Sequence, residues 1–111
     1  MTYSEENWET MVLEVSKRFN VIADFDFMLF LIGIHEYGQG MRAYSRQEKM
    51  DLINLAKCTL LAQKGYLQRT ETDEEGWPQF KNLKNLETLT SARLNDLLKQ
   101  TAFDYLQLKL Q

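Results

Sequence analysis

The sequence contains one cysteine, one histidine and one proline, and the single cysteine and single histidine limit the chemistry that the protein can perform. Cys58 has no second cysteine with which to form an internal disulfide, which favours a reducing compartment and predicts a cytoplasmic location. His35 opens a run similar to the two-histidine zinc motif, but Gln39 stands where the second histidine is required. A catalytic pair of Cys58 and His35 also lacks any sign of an orienting group. We therefore predict no catalytic residue and no metal site.

Membrane and cofactor signals are also missing. The longest apolar run is shorter than the roughly 20 residues that a membrane helix needs, and the first residues carry no basic or apolar leader. No glycine-rich phosphate loop or dinucleotide motif is present. With 13 basic and 16 acidic side chains, the chain has no overall attraction for nucleic acid or anionic lipid. The prediction is a protein without a cofactor or a membrane contact, in which any contact with nucleic acid has to be local.

The strongest positive feature is residues 25–34, which are apolar on almost every side of a helix. Such a helix belongs in the centre of a core or in an interface between chains. Gly33 interrupts it at a cost of about 1 kcal/mol relative to alanine, so we expect a compensating close approach of another helix.

The spacing of apolar residues and the helix caps predict a mainly α fold, a single domain over residues 1–111 with four helices. The helices are expected at about residues 4–20, 24–38, 45–64 and 90–107, with residues 24–38 lying centrally. Caps are predicted at Ser4, at Asp24 or Asp26, and at Thr90 or Ser91. The second helix is expected to end at Gly38. The inner side of the last helix is predicted to carry Leu94, Leu97, Leu98, Thr101, Tyr105 and Leu108.

The third helix has the best-defined ends. Ser45 and Glu48 form a capping-box pattern, and Gly65 followed by Tyr66 predicts a Schellman ending that contacts Leu61. Its apolar face is predicted to contain Met50, Ile53, Ala56, Leu60 and Leu61.

A small β-hairpin is predicted at about residues 66–83, between the third and fourth helices. Asp73 and Gly76 have the positions that a type I turn prefers, and Pro78 fits an edge strand. The alternative places Pro78 at the start of a short helix, so residues 77–89 are either strand or helix at this stage. The acidic residues of the turn resemble a calcium loop of the EF-hand type, but Glu71 and Asn82 replace its first and twelfth ligands.

Charge is distributed unevenly. Residues 1–40 carry seven acidic and two basic side chains, whereas residues 41–64 carry five basic and two acidic ones. We expect the two segments to face each other or to remain solvated.

The run from Lys64 to Arg69 resembles the passage from recognition helix to wing in winged-helix regulators. The resemblance implies a duplex-DNA reader with Arg46, Lys49 or Lys57 at the DNA. The negative net charge and the acids of the predicted wing tip oppose it.

The best functional hypothesis is a non-catalytic protein-interaction or regulatory module that forms a homo-oligomer and has an unidentified protein partner. A winged-helix-like DNA-binding regulator is the alternative. Six residues are predicted as a possible interface: Phe27, Phe30, Gly33, Ile34, Trp77 and Phe80. For Trp77 and Phe80, the alternative is that they cover the core of the same chain.

Overall fold

A computed structural model of the chain describes residues 2–37, 40, 42–84 and 86–109. Within them, four helices and one antiparallel hairpin confirm the predicted mainly α fold, with the hairpin between the third and fourth helices. The elements are α1 (Glu5–Phe19), α2 (Phe25–Tyr37), α3 (Arg46–Gln63), β1 (Leu67–Thr72), β2 (Pro78–Asn82) and α4 (Ser91–Lys109). A 3₁₀ turn at Leu86–Thr88 links β2 to α4. The predicted helix end at Gly38 lies outside the described residues.

Short polar side chains begin the helices. Ser4 Oγ accepts a hydrogen bond from the Asn7 backbone N–H, and Thr90 Oγ1 accepts one from that of Arg93. Of the two alternatives at α2, Asp24 is the cap, because its Oδ1 accepts from the backbone N–H of Phe27 at 2.8 Å. Each cap satisfies one of the N–H groups that a helix leaves unpaired at its start.

The ends of α3 match the sequence prediction. Ser45 and Glu48 form the reciprocal capping box, and Gly65 has a φ of +82°. The backbone N–H of Tyr66 donates to the Leu61 carbonyl, and that of Gly65 donates to the Ala62 carbonyl. These two bonds define the Schellman ending and turn the chain directly into β1.

The hairpin confirms the strand interpretation of Pro78. Strand β2 pairs with β1 in antiparallel register, with Leu67 opposite Asn82, and the short-helix alternative starting at Pro78 is wrong. Asp73 Oδ1 accepts hydrogen bonds from the backbone N–H groups of Glu75 and Trp77, which holds the turn. Proline is tolerated here because a two-stranded sheet consists only of edges.

The core is built around α2, in which every residue from Met28 to Ile34 is buried. Helices α3 and α4 pack against α2, and the predicted close approach at Gly33 is confirmed by the Leu52 backbone of α3. A Cβ added at Gly33 lies 2.2 Å from the Leu52 carbonyl oxygen.

Two apolar residues predicted to face the core are exposed. Met50 is 48% exposed although Leu61, three turns later on the same side of α3, is buried, so this side of the helix is covered only beyond its first turns. Leu108 is 74% exposed because α4 continues to Lys109, whereas its burial ends at Leu106.

Candidate functional site

A groove of about 570 Å³ runs between α3 and the hairpin. Residues from the exposed side of α3 form one wall, and the turn and β2 form the other. Its lining residues are Asp51, Asn54, Leu55, Cys58, Asp73, Glu75, Trp77, Pro78, Gln79 and Phe80. We call this surface the hairpin groove.

The hairpin groove combines apolar walls with acidic groups. Leu55 and Pro78 are buried, and Trp77 and Phe80 are partly buried aromatic residues. Among its described lining residues, three carry a carboxylate and none carries a positive charge. An apolar surface with this electrostatic potential complements a partner that carries apolar and basic side chains.

The hairpin turn gives this groove its shape. The Asp73 carboxylate is committed to the turn, and its Oδ2 also accepts from the Gln79 side chain at 3.3 Å. Trp77 directly follows the turn in the sequence, and its ring centroid lies 4.8 Å from that of Tyr37 at the end of α2. The aromatic wall is therefore fixed from both the hairpin and the central helix.

Cys58 does not join His35. Cys58 lines the hairpin groove, and burial raises the pKa of its thiol, so the neutral and weakly nucleophilic form predominates near neutral pH. The His35 ring instead packs edge-on against Tyr105 of α4, with centroids 5.8 Å apart. The structure does not bring these two residues together as a nucleophile and its base.

A second polar cluster links three elements around Tyr105. The Tyr105 hydroxyl donates a short hydrogen bond to the Glu36 carboxylate and lies 2.8 Å from His35 Nδ1. Because a hydroxyl has only one proton, Nδ1–H of His35 is the donor in the second contact. Arg69 of β1 completes the cluster, with Nη1 3.6 Å from a Glu36 oxygen.

Burial and hydrogen bonding set the protonation state of the Tyr105 hydroxyl. Tyr105 is 5% exposed, and burial raises the pKa of its hydroxyl well above the usual value, with the Glu36 hydrogen bond adding to the effect. The hydroxyl therefore stays protonated and holds α2 to α4. Sequence reasoning missed Tyr105 and Arg69 as partners of Glu36, because no local pattern links residues so distant in the chain.

The six predicted interface residues fall into two groups. Phe30, Gly33 and Ile34 are buried within this chain and present almost no surface to a partner. Three residues keep accessible surface: Phe27, Trp77 and Phe80. The last two meet at the hairpin groove, whereas Phe27 packs separately, with its ring 5.9 Å from that of Phe19. That these six residues form an interface stays a prediction.

Within the described residues, His, Cys, Asp and Glu side chains nowhere gather in groups of three that could bind a metal ion. None of the helices in the described part of the chain is both long and apolar enough to cross a membrane. Comparison with protein-family models, curated proteins and solved structures finds no match to this chain.

Proposed function

We propose that this protein is a non-catalytic protein-interaction module that binds a partner segment in the hairpin groove. The observation that carries the proposal is the placement of Trp77 and Phe80, two partly exposed aromatic residues, in one groove whose charged groups are all acidic. Aromatic residues at the centre of a groove are typical binding anchors, because they bury a large area with few rotatable bonds.

The acidic groups of the groove define the class of partner. Asp51 and Glu75 are exposed, and neither has a salt bridge to a described residue. A segment with lysine or arginine beside apolar side chains satisfies these carboxylates and covers the aromatic wall. We therefore propose a basic and apolar segment of another protein as the ligand.

Selection from a random peptide library displayed on phage tests this proposal with the purified protein as bait. Enriched peptides are expected to combine basic and apolar residues and to bind a variant with Asp51→Lys and Glu75→Lys at least about tenfold more weakly. Asp96→Lys makes the same kind of charge change on exposed α4 and serves as the control. Failure to enrich any peptide, or equal binding to both variants, contradicts the assignment of the groove.

We also propose that the protein self-associates and acts in the cytoplasm. The lone Cys58 supports the reducing compartment. Exposed Leu13 and Met50 support self-association, because burying a large apolar side chain contributes about 1.5 to 3 kcal/mol. Light scattering at high micromolar concentration is expected to give a mass above that of the 13.1 kDa chain. A monomer at all concentrations contradicts self-association.

A winged-helix-like DNA reader is the second candidate, favoured by the direct passage of α3 into the hairpin. The exposed turn opposes it, because Asp73, Glu74 and Glu75 repel phosphates. Anisotropy of labelled mixed-sequence duplex DNA at low salt separates the two functions. No binding is expected, whereas binding that Lys49→Glu weakens supports the DNA reader.

A further inference from the structure

The outer side of α1 presents two acidic residues followed by an exposed apolar residue. Glu6, Glu9 and Leu13 recur at helical spacing, and all three are exposed, with Leu13 at 61%. Neither glutamate has a salt bridge to any described residue. Lys17 follows one turn after Leu13 and marks the end of this surface. We call these three residues the acidic face.

One side of α3 presents basic residues, again with one exposed apolar residue beside them. Arg46, Met50 and Lys57 lie on one side of the helix, and Lys49 lies beside them at its start. Met50, one turn after Arg46, is 48% exposed, whereas Ile53, between Met50 and Lys57 on the same side, is buried. None of the three cations has a salt bridge to a described residue. We call the three cations and Met50 the basic face.

The two faces do not neutralise each other within one chain. Glu5 pairs with Lys99 of α4, and Glu36 pairs with Arg69 of β1, so neither of these acids pairs with a cation of the basic face. Glu48, on α3 itself, pairs with Arg42. The uneven charge of the sequence therefore remains as two unpaired helix faces of opposite sign.

We infer that the acidic face of one copy docks on the basic face of a second copy. This inference rests on the proposed self-association and names the surfaces that produce it. The faces are opposite in sign, and each places one exposed apolar side chain beside its charges, so docking buries Leu13 and Met50 while pairing glutamates with cations. Two acidic faces, or two basic faces, repel each other, so docking of an acidic face on a basic face is favoured.

The contact has two expected properties. Two single helix faces bury a smaller area than a standard protein interface, so the association is weak, in the micromolar range or above. Its charges lie at the protein surface, so salt screens their attraction and association weakens as ionic strength rises. Each copy contributes different faces, which makes the contact heterologous, and mixing experiments therefore report on it directly.

Charge exchange between two variants tests the inference. The first variant carries Glu6→Lys and Glu9→Lys, and the second carries Arg46→Glu and Lys49→Glu. Either variant alone has two faces of the same sign and is expected to associate at least about tenfold more weakly than the unmodified chain. An equimolar mixture has complementary faces again and is expected to recover association.

Sedimentation velocity at about 20 mM and about 0.5 M salt measures these associations, and circular dichroism checks that each variant folds. A variant with Glu71→Lys and Glu74→Lys, two exposed acids of the hairpin outside the hairpin groove, is the matched control and is expected to associate normally. Association that is recovered in the mixture, and in neither variant by itself, supports the inferred contact.

Two results overturn the inference in different ways. If the unmodified chain associates and both charge variants associate equally well, the docking surfaces are wrong while the proposed self-association stands. If the unmodified chain is a monomer at low salt and high micromolar concentration, the inference and the proposed self-association fail together.

Discussion

Replacing Gly33 by alanine tests the packing on which the whole fold depends. An ordinary van der Waals contact begins at 3.4 Å, whereas the added Cβ lies 2.2 Å from the Leu52 carbonyl oxygen, so α2 and α3 must separate by about 1.2 Å. A gap of about 0.5–1 Å already removes a quarter to a half of the dispersion energy between packed atoms. Leu29, fully buried one turn before Gly33 on the same side of α2, shares that loss.

The expected net effect is a loss of about 2 kcal/mol in the free energy of unfolding. Overpacking at a backbone obstacle costs about 3 kcal/mol, and the better helix propensity of alanine offsets about 1 kcal/mol of it. For a chain of this size, the loss corresponds to a decrease in melting temperature of about 10 °C.

Urea unfolding followed by circular dichroism measures the change, with Leu52→Ala as the informative background. The nearest obstacle is the backbone of Leu52, so truncating its side chain is expected to leave the Gly33→Ala penalty in place. A Gly33→Ala protein as stable as the original refutes the reasoning. A penalty that disappears in the Leu52→Ala background shows that the side chain, and not the backbone, is the obstacle.

Three further predictions concern the caps and the Tyr105 cluster. Ser45→Ala is expected to lower the unfolding free energy by about 1 kcal/mol in urea titration, because it removes the hydroxyl that accepts from the Glu48 backbone N–H; an unchanged midpoint argues against this cap. The hydrogen bond from the Ser45 backbone N–H, followed by that from Arg42, lowers the pKa of Glu48 from its usual 4.5. This stabilisation is present above pH 4.5 and lost as pH falls through the lowered pKa, so Glu48→Gln is expected to flatten the loss of stability measured below pH 4.5. Tyr105→Phe is expected to cost about 1–3 kcal/mol in thermal unfolding, because it leaves Glu36 without its buried donor; a cost no larger than that of the exposed Leu108→Ala contradicts a structural role.

The parts of the fold that the sequence predicts well are those decided by near neighbours. The capping box of Ser45 and Glu48 and the Schellman ending at Gly65 each involve residues a few positions apart. The same holds for the turn that Asp73 organises. Local hydrogen bonds of this kind leave a readable pattern in the sequence.

The parts that it predicts poorly depend on how the elements pack. Periodicity alone assigns Met50 to the core together with Leu61, whereas Met50 is exposed because their shared side of α3 is covered only beyond the first turns of the helix. The cluster of Glu36, Arg69 and Tyr105 joins three elements separated along the chain, and a single sequence carries no signal of such pairs.

The candidate site shows the same division. Trp77 and Phe80 stand out in the sequence as large apolar residues beside an acidic turn. Their meeting with Asp51 and Cys58 across the hairpin groove depends on the angle between the hairpin and α3, which only the packed structure provides.

Contacts of α4 with α1 and with Tyr3, which precedes α1, have a consequence for how the protein is made in the cell. The Tyr3 ring meets that of Phe103 edge-on at 5.6 Å, and Lys99 reaches Glu5 at 2.9 Å. Because synthesis proceeds from the N-terminus, the first three helices leave the ribosome before the segment that covers them. A nascent chain stalled before residue 91 therefore leaves part of this apolar surface uncovered and is expected to aggregate more readily than the full chain.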